Sequence, residues 1–222
     1  MIDNFNNKSN LLIENQYFPC TDWIKLLFQQ THINITPFEP YRKMSFRNRC
    51  VVAGSNGLVS LSVPVENGRN QRVPFKDVRI SYREDWQTQH WRTVTACYNN
   101  SAFFEFYRDG LEMLFLKRET FLFDLDTTIL LWLKKALRLD CDIDILADIG
   151  MDDTLGMVDL RDKWLPKNFQ DSEAEAGELA QRYFQVFENK IGFQPNLSVL
   201  DLLFNEGPNA HTWLKTGTHK IG

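Results

Sequence analysis

Residues 11–36 read LLIENQYFPCTDWIKLLFQQTHINIT, and the order of structures written into them decides the fold class. Leu11 to Ile13 form a short apolar run suited to a buried strand. The Pro19 region ends it, and Thr21 or Asp22 caps a helix over TDWIKLLFQQ. Trp23, Leu26, Leu27 and Phe28 give that helix an apolar face, and HINIT returns as a strand with Ile33 and Ile35 on one side. Strand, helix, strand predicts an α/β (or α+β) chain with a mixed central sheet.

Working outward, Cys50 to Val65 is two β-rich runs joined by Gly54-Ser55-Asn56-Gly57, residues that tolerate positive φ, so a hairpin is expected. VRISY at 78–82 reads as a further strand. Glu84 or Asp85 opens a helix from about Trp86 to Tyr98, with Trp86, His90, Thr93 and Cys97 on one face. Ser101 suits the cap of the next helix, and a third is expected from about Asp126 to Leu137 with Lys134, Lys135 and Arg138 at its negative end. Together these make a helical block from about 86 to 138. IDIL at 143–146 reads as a strand, 150–177 as a long polar loop, and YFQVF as another strand. A short C-terminal helix starts at Asn196 or Ser198 and stops at Gly207-Pro208. One domain over 1–222 is the expectation.

Of 222 residues 43% are hydrophobic, enough for one substantial core, and the net charge of −4 argues against a protein that coats nucleic acid. The charge is uneven. Residues 1–122 carry 15 Lys+Arg against 12 Asp+Glu, whereas 123–222 carry 10 against 17. Between Pro40 and Val65 stand Arg42, Lys43, Arg47 and Arg49 with no acid among them. Four scattered cysteines form no C-x-x-C pair, so reduced thiols are expected. The N-terminus lacks a basic n-region, and Glu14 breaks the apolar run after it. No apolar run approaches the ~20 residues of a membrane helix, so the reading is a soluble cytoplasmic protein without a membrane span.

Arginine is a planar, permanent donor, so YRKMSFRNRC (41–50) suits an anionic group, with Asn48 among the cations; its other reading is a basic strand paired with the acidic second half. His90, near a helix N-terminus, is a candidate proton acceptor or a hydrogen-bonded histidine at the core edge. Cys20 at a helix start is a candidate nucleophile or, better, a buried filler. Asp152, Asp153, Asp159 and Asp162 lack the order of a calcium loop, so no metal is expected and no cofactor is named.

NQYFPCTDWIKLL, YRKMSFRNRC, GLVSLSVPV, KDVRISYREDWQTQHWRT, CYNNSAFFEFY, DLRDKWLPK, YFQVF and PNLSVLDLLFNEGP, in this order and spacing, resemble the WbqC-like proteins. The polar signature of that family falls on Arg47, Asn48, Arg49, Trp86, His90, Thr93, Tyr98, Asn196 and Asn205. The Gln-Pro pair many relatives carry near the front reads Glu14-Asn15 here, and Cys20 lies outside the pattern. The resemblance implies an association with bacterial surface-polysaccharide (O-antigen) biosynthesis and a transferase that adds an acyl or aminoacyl (glycine-type) group to an activated amino sugar. Lys43, Arg47 and Arg49 would hold the diphosphate of a nucleotide sugar or similar anionic small molecule, and Asn48 and Tyr98 would orient the sugar. Trp86, Thr93 and Asn205 would complete the binding set, and His90 would take the proton. The rival expectation is a non-catalytic ligand-binding or assembly protein that uses the basic patch.

Overall fold

The computed structural model describes residues 11–67, 73–147, 157–167 and 181–216. Strand β1 (Leu11–Ile13) and strand β2 (His32–Ile35) are buried along their whole length and pair in parallel, joined by helix α1 (Thr21–Phe28). Burial on both faces is what a parallel strand covered by helices requires; it explains the unbroken apolar run of β1, whereas β2 buries His32 and Asn34 between its two isoleucines. Strand β5 (Asp142–Ile145) adds in parallel to β2, and strand β6 (Val158–Asp159) adds in parallel to β1, giving the order β5-β2-β1-β6. The hairpin of β3 (Arg49–Gly54) and β4 (Gly57–Ser62) is a separate antiparallel sheet. Both strand senses are thus present, but in two sheets.

The helical block consists of α2 (Trp86–Tyr98), α3 (Phe104–Leu116) and α4 (Leu122–Ala136). Asp85 caps α2 by accepting from the Thr88 N–H at 3.4 Å, and within the same first turn the Gln87 amide donates to the Phe115 and Lys117 carbonyls at 2.6 and 2.7 Å, closing the end of α3. A four-residue helix α5 (Glu188–Ile191) precedes α6 (Val199–Glu206) and α7 (Ala210–Thr216). Ser198 caps α6, and Gly207 ends it at φ 54, with the Phe103 ring so close that a Cβ there would stand 2.4 Å from it. No helix among the described residues is long and apolar enough to cross a membrane.

Several local expectations fail for definable reasons. Residues 78–82 make only isolated bridges, Ile80 to Val65 and Arg79 to Phe121. Ser101 donates its hydroxyl to the Tyr98 carbonyl and leaves α3 to begin at Phe104. Helix α4 starts four residues before Asp126, because Leu122, Phe123 and Leu125 extend the buried face. YFQVF is not a strand: the Gln185 amide donates to the Gln194 carbonyl at 2.7 Å and accepts its N–H at 2.8 Å, standing in for a neighbouring strand. Within the loop expected at 150–177, residues 157–167 hold β6 and a turn; the rest lies outside the described residues.

Candidate functional site

Parallel strands deliver their carboxyl ends to one edge of the sheet, the usual place for a site in α/β proteins. Here β1 runs out into Glu14, Asn15, Gln16 and Tyr17, all nearly inaccessible, β2 into Thr36 and Glu39, and β6 into Arg161 and Asp162. The 3₁₀ turn Phe46–Asn48 adds Arg47, only 1% exposed. Arg47 donates from Nε to Glu39 Oε1 at 2.8 Å and from a terminal nitrogen to Asp162 Oδ1 at 2.6 Å, while Arg42 reaches Asp162 Oδ2 at 2.9 Å. Glu14 accepts from the Gln16 amide at 2.6 Å and from the Asp162 N–H at 3.1 Å. One ionic cluster therefore ties the ends of β1, β2 and β6 together.

Burial is the largest influence on each charge. It lifts Glu14 to about 7, against the opposing pull of Arg47 and Gln16. It works against the charge of Arg47 too, but Glu39, Glu14 and Asp162 outweigh it and hold the guanidinium above its ordinary value. Asp162, half as deeply placed, ends below the usual carboxylate range because hydrogen bonds and charge from Arg47 and Arg42 overcome burial.

Asp126, on α4, is 0% exposed, and neither carboxylate oxygen has a hydrogen-bond partner; burial holds it well above its ordinary range, only partly offset by Arg47. Its neighbour Thr127 accepts from Asn15 at 3.1 Å, which joins α4 to the end of β1, and the Asp126 carboxyl stands near enough to Tyr17, Tyr41 and Cys50 to influence all three. Of the ten unpartnered buried side-chain atoms among the described residues, six belong to Gln16, Asn48, Arg49, Trp86 and Asp126. Each would cost about 1–3 kcal/mol if left unmet, and most of them fall on the segments linked through Tyr17.

The structure divides the residues expected from sequence. Arg47, Asn48 and Arg49 lie side by side at this edge, with Asn48 donating to the Val63 carbonyl at 2.9 Å. Trp86 and His90 pack with ring centroids 5.1 Å apart, and His90 Nδ1 meets the Tyr17 hydroxyl at 3.0 Å, so they join the same region through Tyr17. Burial lowers His90 to about 4. Lys43 points outward. Thr93 donates to the Gln89 carbonyl of its own helix. Tyr98 stands eight residues beyond His90, about 12 Å along the helix axis, and donates to Asp201 at 2.7 Å. Asn205 binds the Asp201 carbonyl, and Tyr183 donates to the other Asp201 oxygen, so these groups form a second buried cluster. Asn196 caps the front of α1 by accepting from the Asp22 N–H. The acidic partner of Arg42 and Arg47 comes from the second half of the chain.

Glu14, Tyr17, Glu39 and Asp126 were not singled out by residue type, and Asp162 was weighed only among the carboxylates of a metal loop. Glu14 left a signal nonetheless: a carboxylate directly after the first strand of a strand-helix-strand unit lies at the edge where sites form.

A small α/β chain with a buried polar cluster at the carboxyl edge of its parallel sheet is the class these observations define. The model of the WbqC-like protein family matches residues 15–165, and the chain belongs to that family. It is similar to the uncharacterized protein Rv1507c of Mycobacterium tuberculosis, 24% identical over 233 residues that cover 94% of this chain and 98% of the relative. No solved structure matches it.

Glu14 should show in the pH dependence of stability. Its folded value of about 7 lies above the 4.5 of an ordinary glutamate, so the fold favours the protonated form. Stability from this group is fully present below 4.5 and is lost as pH rises through about 7, by ~1 kcal/mol between pH 6 and 8. Urea midpoints of the parent and Glu14→Gln at both pH values should differ by that slope, which the variant lacks; equal slopes would place the titration elsewhere.

Proposed function

We propose that the chain transfers an acyl or aminoacyl group to the amine or hydroxyl of an activated amino sugar: that amine or hydroxyl attacks the carbonyl of a thioester donor of the acyl-CoA class, Glu14 accepts its proton, the C–S bond breaks and the proton passes to the leaving thiolate. The observation that carries this reading is the placement of Glu14: a buried carboxyl at the carboxyl end of a parallel strand, fixed by Gln16 and the Asp162 N–H beside Arg47. A base works best with a pKa near the working pH, and Glu14 at about 7 meets that condition where His90 at about 4 does not. His90 becomes a positioning residue for Tyr17. Arg49, whose Nε has no partner, and exposed Lys43 are the cations left to address phosphate, since Arg47 is engaged by Glu39 and Asp162. Asn48 and Asp126 supply polar atoms for the sugar. The sugar substrate and the surface-polysaccharide setting rest on the family resemblance.

The experiment is a thermal-shift screen against nucleotide-linked amino sugars, acyl-CoA compounds and free nucleotides, followed by mass detection of the acylated sugar. A ligand bound only by the native state must raise apparent stability. Glu14→Gln is expected to keep the shift and to lose about 100-fold or more in turnover. The parent rate should rise with pH through about 7. Full turnover in Glu14→Gln would remove the base assignment, and no shift with any compound would favour the non-catalytic assembly protein that docks a protein partner.

A further inference from the structure

The outer surface of the helical block carries a concave feature that shares no residue with the buried cluster around Tyr17. A cleft of about 410 Å³ opens between α3, α4 and the start of α7, within the ~300–1,000 Å³ range of small-molecule sites. Its walls are of two kinds. Phe106, Tyr107 and Trp132 provide aromatic rings, Phe106 being 73% exposed, with Tyr107 edge-on to both at 4.8 and 6.1 Å. Lys135, Arg138 and His211 provide basic groups, and no carboxylate lines the cleft.

The rings are held in place. Trp132 lies against Gly110, where a Cβ would stand 2.9 Å from the indole nitrogen, so a glycine in mid-helix, costly in helix propensity, is what lets the Nε1 edge of the indole come this close to α3. The cations are uncommitted. Among the described residues neither Lys135 nor Arg138 has a carboxylate within ion-pair distance, whereas their neighbour Lys134 is occupied by the Cys141 carbonyl at 2.6 Å. Arg138, in the left-handed conformation at φ 52, stands close enough to Tyr107 to oppose the rise that burial gives that phenol. His211 Nδ1 meets the Leu137 carbonyl at 2.8 Å and so carries its proton there. The carboxyl end of a helix bears about half a negative charge. Two full positive charges exceed that, so the end of α4 remains attractive to an anion.

We propose that this cleft binds a small planar aromatic anion of the mononucleotide type, its ring against Phe106 and Trp132 and its phosphate between Lys135 and Arg138. Aromatic faces accept a base because every base has a π-face, and the basic side supplies what an uncharged apolar ligand would not need. An aliphatic occupant would leave the ring arrangement unused; a bare phosphate would leave the apolar wall unused.

The test uses the full ¹⁵N-labelled chain, whose six tryptophans give separate indole signals, that of Trp132 being assigned with Trp132→Phe. AMP is titrated beside adenosine, ribose 5-phosphate and inorganic phosphate. Expected is a saturable shift of the Trp132 indole with AMP, with each of the three fragments at least about tenfold weaker and the doubly substituted Lys135→Ser/Arg138→Ser chain losing about tenfold. The spectrum of the double variant reports at once whether it is folded. Adenosine binding as well as AMP would overturn the anion half of the proposal. Ribose 5-phosphate binding as well as AMP would overturn the aromatic half. A Trp132 signal unmoved at millimolar AMP would overturn the whole.

Discussion

Replacing Arg47 by methionine is expected to lower the unfolding free energy by about 3–5 kcal/mol. The side chain is 2% exposed and is the common partner of Glu39, itself 4% exposed, and of Asp162. Methionine fills much of the volume but leaves carboxylates in a place from which water is largely excluded. The cost is thus the stranding of buried charge more than the loss of contact. Two further results follow from that cause. The destabilisation should shrink at low pH, where the carboxyls become neutral. Arg47→Met with Glu39→Gln should be less destabilised than the two single changes added together, with a coupling of about 1–3 kcal/mol. Urea unfolding of the three variants checks both. A loss of under ~1 kcal/mol for Arg47→Met would mean that the cluster is hydrated and does not tie the three strand ends together.

The second large effect is expected at Asp201. Its two carboxylate oxygens accept from the hydroxyls of Tyr98 and Tyr183 at 2.7 Å each, and Tyr98 in turn accepts from the Ala53 N–H at 3.0 Å. This one side chain therefore links α6 to α2, to the hairpin and to the segment before α5. Asp201→Ala strands two buried phenols at about 1–3 kcal/mol apiece, so a loss of roughly 2–6 kcal/mol is expected. Asp201→Asn keeps one acceptor and should fall between parent and alanine. Burial raises Asp201 to about 6 despite the two phenols, above its ordinary 3.8. The parent should therefore lose stability as pH climbs from about 4 through 6, and Asp201→Asn should not. If Asp201→Ala melts with the parent, the phenols have found water and the cluster has no structural weight.

These two residues also show how far the sequence reaches. Arg47 stood out because a run of cations without acids is visible along the chain, yet its partners arrive from residues 39 and 162. Asp201 sits in an ordinary amphipathic helix, and nothing local distinguishes it from a solvated aspartate. Asp126 is similar: the helical period gives it a face but not the depth of that face. Glu14 was readable as an interruption of an apolar run directly after the first strand. Its chemistry follows from the end of β1 being covered by Arg47, Gln16 and the 157–167 segment, contacts as far as 148 residues apart in the chain.

What the sequence determined by itself is what depends on neighbours within a few positions. That includes the strand-helix-strand opening, the hairpin at Gly54–Gly57, the cap of α2 by Asp85 and the stop of α6 at Gly207. Period, capping and turn chemistry act over one or two turns of chain, so their signals survive in one dimension. The tertiary structure alone decided that the parallel strands and the hairpin form separate sheets, that β6 joins β1, and that Tyr98 and Asn205 gather around Asp201 away from His90. It also decided which charges are buried. Desolvation is set by whatever covers a residue from distant parts of the chain, and it is desolvation that moves Glu14 to about 7 and His90 to about 4.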